Sequence, residues 1–341
     1  MWIRKVGGML TPSILPFVAF AHHSVGANFD PSVTTEVEGE ITEILWRNPH
    51  VAFTLTTTNS DGTVAEWNLQ SHSVSILRRM GTVDPFVQIG DRVKAAGWPA
   101  RRGQGMFVNN MLLPTGEEFV FGFGAEPADL RWSDRLWGTN ERWFAETGDS
   151  SAAGRGIFRT WSTTLARGQH AFWLPEYPLT ESARATQAAF DPLTEDPLLN
   201  CGLKGMPAIM SAPYPLEFIN EGDTIAVHLE EYDTVRTIYL GAQAAVVPTP
   251  SILGHSTGRW EGDTLVVRTT AVNWGHFHGR GIPTSGDMEI IERFTPVENG
   301  SRLQYEMTVT DPATFTEPVV MDKTWVWLPD VSVEPYECVA D

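Results

Sequence analysis

Apolar and polar residues alternate with a period of two through most of this chain. That alternation predicts half-buried strands, because successive side chains of a strand point to opposite faces. In the N-terminal part the alternating stretches are 35–46, 51–58, 64–70, 91–97 and 105–113. Asp61-Gly62, between the second and third, is a dipeptide that closes a tight hairpin. One short helical stretch, 73–80, falls between the third and fourth strands and is followed by the turn-rich segment 81–90. Five strands with a helix after the third match an OB-like barrel over residues 22–122.

The alternation returns after residue 216, in stretches 224–231, 235–240, 264–270, 288–295, 302–310 and 321–328, with Asn299-Gly300 marking another hairpin. So many strands in one run predict a calycin- or lipocalin-like antiparallel barrel, or a strongly curved sheet, over residues 216–341. The tetrapeptide Glu-Gly-Asp-Thr launches a strand twice, at 221–224 and 261–264, which reads as a repeated hairpin entry. Between the two β regions, residues 123–215 carry Trp132, Trp137, Trp143, Trp161 and Trp173 without sustained periodicity. This stretch reads as a connecting region whose aromatics pack over its neighbours.

The first 21 residues break the pattern. Arg4 and Lys5 precede an apolar stretch over 6–20, interrupted by Pro12 and Pro16, and Ala19-Phe20-Ala21 has the small-x-small form of a signal-peptidase site. The expectation is a secreted or periplasmic protein whose mature chain begins at His22, with no stable membrane insertion after cleavage. In such an oxidising compartment the two cysteines, Cys201 and Cys338, are able to close one long loop; the alternative is two separate buried thiols. A formal net charge of −18 disfavours nucleic-acid partners. The sequence contains no Walker-type loop and no GxGxxG after a strand, which argues against nucleotide-dependent chemistry.

Ala21-His22-His23-Ser24, Trp46-Arg47-Asn48-Pro49-His50-Val51 and the Gly-Asp-x-Val pattern at 90–93 resemble an uncharacterised family of exported bacterial proteins, a domain of unknown function, over about residues 20–120. Gly254-His255-Ser256, the run from Gly258 to Val267, Glu292-Arg293-Phe294 and Thr310-Asp311-Pro312 resemble segments of hypothetical proteins of environmental bacteria. Neither resemblance implies an activity, so the chemistry has to be read from the residues.

Three constellations carry chemistry. In the second β region, alternation puts Glu231 in phase with Ile225, Val227 and Leu229, Glu292 in phase with Met288, Ile290 and Phe294, and Arg236 in phase with Ile238 and Leu240. A charge inside a barrel is costly unless paired, so this pattern points either to an internal ion pair or to a polar ligand site. Arg236, Tyr239 and Trp260 are the ligand-binding candidates of such a cavity. Glu231, Glu292, His255 and His276 are its acid–base candidates. Second, His276 and His278 sit in the glycine-flanked loop 273–281, placed to act as a lid. Third, a free amine on His22, together with His23 and His50, offers nitrogen ligands to copper or zinc.

The leading expectation is a small-molecule-binding β protein with a polar-lined barrel cavity and no required cofactor. One alternative is a cofactor-independent hydratase, isomerase or hydrolase using the same cavity. The other is a copper- or zinc-binding protein that depends on the mature N-terminus.

Overall fold

The computed structural model describes residues 25–58, 61–82, 84–122, 126–138, 148–149, 151, 156–163, 172–198, 201–241 and 248–339. The expected signal peptide, His22, His23 and Trp143 lie outside the described residues.

After a single helical turn, α1 (Val25–Asn28), come β1 (Thr35–Leu45), β2 (Ala52–Thr58), β3 (Val64–Gln70), the helix α2 (Val74–Arg79), β4 (Arg92–Pro99) and β5 (Gly105–Leu112). β1 pairs antiparallel with both β2 and β4, β2 with β3, and β4 with β5, while β5 closes on β3 in parallel. This is the five-strand mixed barrel that the alternation and the helix after the third strand predict, with a short β6 (Glu118–Val120) added at its edge. Ser73 caps α2, its Oγ accepting the Ile76 amide at 3.1 Å, and the helix buries Ile76 and Leu77 in the barrel core.

The second barrel has nine strands and is closed. It comprises β7 (Thr160–Thr163), β8 (Leu216–Asn220), β9 (Thr224–Leu229), β10 (Thr234–Leu240), β11 (His255–Glu261), β12 (Thr264–Thr270), and then, after a small hairpin of β13 (His276–His278) and β14 (Ile282–Pro283), β15 (Glu289–Val297), β16 (Arg302–Thr310) and β17 (Val319–Val326). Two features go beyond the sequence pattern. β7 comes from the stretch read as a connector and fills the gap between β17 and β8. β10 and β11 run parallel, so the barrel is not a pure up-and-down meander.

The inward faces of these strands meet in one core that includes Phe218, Ile238, Leu265, Phe294, Tyr305 and Trp325, so the barrel is packed with side chains. The ligand cavity expected inside it gives way to this filling. Of the tryptophans of the connecting stretch, Trp161 is buried in that core, and Trp137 packs on Phe86 and Phe119 of the first barrel. α3 (Glu181–Ala189) follows Thr180, whose Oγ1 accepts the Ala183 amide at 3.2 Å.

The C-terminal tail ties the two barrels together. Cys338 is bridged to Cys201, closing a separation of 137 residues with a Cα–Cα distance of 6.0 Å. Asn48, at the end of the first hairpin, donates its amide to the Tyr336 carbonyl, and its carbonyl accepts the Val339 amide at 3.2 Å.

Candidate functional site

Of the three charges that alternation places inside the second barrel, Arg236 and Glu292 are there, and they form a closed network. Arg236 and Glu292 are 1 % and 0 % exposed. The guanidinium donates through Nη1 to Glu292 Oε1 at 2.9 Å and through Nη2 to Glu292 Oε2. Nε donates to Ser256 Oγ at 3.1 Å, and Nη2 also to Thr269 Oγ1 at 2.8 Å. Nη1 further lies 3.7 Å from Met210 Sδ, so all five guanidinium protons have acceptors. Tyr305 donates its hydroxyl to Glu292 Oε1 at 2.8 Å. Burial opposes the charge on Arg236, but the carboxylate beside it holds the proton more firmly still. Burial, and then the Glu292 charge, push the Tyr305 phenol well above its usual range. The network has no polar group left to offer a ligand, and its arrangement is that of an internal ion pair fixing strand positions.

Glu231 is not part of it. β9 ends at Leu229, and residues 230–233 form a turn in which Tyr232 and Asp233 take left-handed backbone angles, with φ of 58° and 50°. The residues of this turn are held by Arg79, Lys204 and Tyr336. Glu230 accepts from Arg79 of α2 at 2.9 Å, a buried ion pair between the two domains. Glu231 receives the Lys204 ammonium on both oxygens, at 2.6 and 2.7 Å. Tyr232 packs on Tyr336 of the tail with ring centroids 5.2 Å apart. The Asp233 carboxylate accepts the Tyr336 amide at 2.9 Å.

This turn lines a cavity of about 330 Å³. No residue of the nine barrel strands lines it; its walls are the segments between strands, meeting Pro49 and His50 of the first domain and Tyr336 of the tail. The lining includes the Lys204–Glu231 pair, Tyr214 and Tyr232. Burial pushes the Tyr214 phenol up to about 12 and raises that of Tyr232, with the Glu231 charge adding to both. The lining also includes Trp173, Trp274, Asp196, His278 and Arg280. Trp173, from the connecting stretch, sets its ring edge-on to His278 at 4.9 Å and to Phe277 at 5.6 Å. The loop read as a lid is instead the β13–β14 hairpin, anchored by the fully buried Phe277.

His278 Nδ1 accepts the Arg280 amide at 2.9 Å, which leaves the ring proton on Nε2. Burial, and then the nearby Arg280 charge, bring its pKa down to about 4, so the ring is neutral at pH 7. The residue is 3 % exposed, and its Nε2 has no hydrogen-bond partner among the described residues. The Arg280 side chain is exposed and lies within 4.0 Å of no described carboxylate.

The remaining sequence candidates lie apart. His255 stacks on Tyr239 at 4.9 Å, on the side of β10 opposite Arg236. Trp260, near the end of β11, is 42 % exposed and touches Phe158. Thus Arg236, Tyr239 and Trp260 do not share one pocket. His276 is half-buried beside Trp274 and Phe190. His50 lines the cavity and donates Nδ1–H to the Ser71 carbonyl at 2.8 Å. Among the described residues, no group of three or more His, Cys, Asp and Glu is placed to hold a metal ion. Lys204, Tyr232 and Arg280 went unselected in the sequence because no motif or periodicity marks them.

Residues 13–108 match the model of DUF6152, a family of unknown function, and a second β-barrel domain follows. No curated protein matches the chain. No helix among the described residues is long and apolar enough to cross a membrane, and the disulfide is consistent with an oxidising compartment.

Proposed function

We propose that the chain is an exported small-molecule-binding protein whose site is the cavity at the junction of the two barrels. The observation that carries this reading is the cavity itself. It is a concave space of about 330 Å³ walled by tryptophan and tyrosine rings with a few ionic and hydrogen-bonding groups converging on it, the usual composition of a ligand pocket. Its construction supports the same reading. The loops between strands in both barrel regions and the tail deliver residues to it, and the left-handed conformation of Tyr232 is one held only where surrounding contacts enforce it. The acid–base alternative is weaker here, because Glu231 and Glu292 are each engaged by a cation and neither pairs with the other.

Gly279 provides a way to block the cavity. It lines the space, its backbone is not left-handed, and an added Cβ meets only Asp196 Oδ2, at 3.8 Å. A thermal-shift screen of small polar and aromatic compounds is expected to give upshifts with the wild-type chain that disappear in Gly279→Phe. Upshifts of equal size in both proteins, or none in the wild type, would overturn the reading.

A further inference from the structure

We infer that the cavity takes a carboxylate borne on a flat, largely apolar ring, with His278 and Arg280 as the groups that receive the carboxylate; this rests on the cavity being a ligand site. The argument starts from the hairpin. Because Nδ1 of His278 is occupied by the Arg280 amide, the only donor the ring has left is Nε2–H. That donor is buried, lacks a partner among the described residues, and belongs to a residue lining the cavity. A buried N–H without an acceptor is costly, so a ligand oxygen at this position would satisfy it.

The neighbouring charge selects the kind of oxygen. Arg280 is two residues further along the same hairpin, lines the same cavity, and has no carboxylate of the described chain within ion-pair distance. A neutral N–H donor beside a guanidinium is a receptor for an anionic oxygen, and the fork of Arg suits the planar carboxylate group. The other cation of the cavity, Lys204, is already engaged by both oxygens of Glu231, which leaves Arg280 as the cation for an anionic ligand, in a lining that also holds the Asp196 carboxylate. The lining also holds two indoles, Trp173, whose ring lies beside His278, and Trp274, which offer a flat apolar surface to the body of the molecule.

The test uses the full chain with benzoate and benzyl alcohol as probes, measured by isothermal titration. Benzoate is expected to bind at least about tenfold more tightly than benzyl alcohol, and Arg280→Gln to remove that advantage while leaving benzyl alcohol unchanged. Arg280 is exposed, so this variant keeps the fold. His278→Gln, which retains an N–H donor, is expected to keep more benzoate affinity than His278→Phe. If benzyl alcohol binds as tightly as benzoate, or Arg280→Gln weakens both equally or neither, the carboxylate assignment is overturned. The same holds if benzoate fails to bind. In each case the cavity reading is judged separately, by whether compounds that stabilise the wild type lose their effect in Gly279→Phe.

Discussion

Arg236 and Glu292 show at the level of single residues why a buried charge is tolerable only in company. Each offsets the other's desolvation cost, and Ser256, Thr269 and Tyr305 take up the remaining donors and acceptors. Arg236→Met is expected to cost about 3–5 kcal/mol, because it strands Glu292 in the core, whereas Arg236→Met with Glu292→Leu restores most of that loss. Urea denaturation of the two variants separates the outcomes, and equal losses in both would contradict the account. Lys323 is a different case. It is 5 % exposed, and its ammonium donates to the Ala212 carbonyl at 2.6 Å. Burial brings its pKa down to about 7, against an attraction from Glu231 that is too small to compensate. The unfolded chain therefore binds the proton more strongly than the folded one between about pH 7 and pH 10, so this residue makes stability rise with pH across that window. Lys323→Met is expected to flatten that rise, as measured by chemical denaturation at several pH values.

At the scale of elements, each barrel closes through one parallel seam, and a glycine stands in each. Gly105 of β5 lies opposite Asn68 of β3, where an added Cβ would come within 2.6 Å of the Asn68 carbonyl oxygen. Gly258 of β11 lies opposite Leu240 of β10, where a Cβ would meet Ile238 Cγ2 at 2.7 Å and Leu240 Cδ2 at 3.0 Å. Gly105→Val and Gly258→Val are each expected to destabilise by about 1–3 kcal/mol through overpacking at the seam, read as a lowered unfolding midpoint. The strands themselves were legible from alternation: β16 buries Leu303, Tyr305, Met307 and Val309 and leaves the residues between them more exposed. The same alternation located Arg236 and Glu292 correctly. It misplaced Glu231, because the strand stops at Leu229 and the chain turns through two left-handed non-glycine residues. Nothing in Glu-Glu-Tyr-Asp signals such a turn, since it is enforced by Arg79, Lys204 and the tail.

The whole molecule is organised around the junction, and that is why the candidate site was the least legible part. Its walls come from residues as far apart as Pro49 and Tyr336, with no common spacing, and they meet only because both barrels form and the tail returns to Asn48. The Cys201–Cys338 bridge closes a separation of 137 residues, and the neighbouring Lys204 and Tyr336 both line the cavity. Cys338→Ser is therefore expected to cost about 2–5 kcal/mol and to loosen the cavity wall, visible as faster amide exchange around Tyr232 and Tyr336. Unchanged exchange there would separate the bridge from the site. The central claim, that the junction is where a small molecule binds, is tested most directly by isothermal titration of the compound giving the largest thermal upshift. Saturable binding at one site per wild-type chain, lost in Gly279→Phe, is the predicted result; binding of equal strength to both proteins would contradict it.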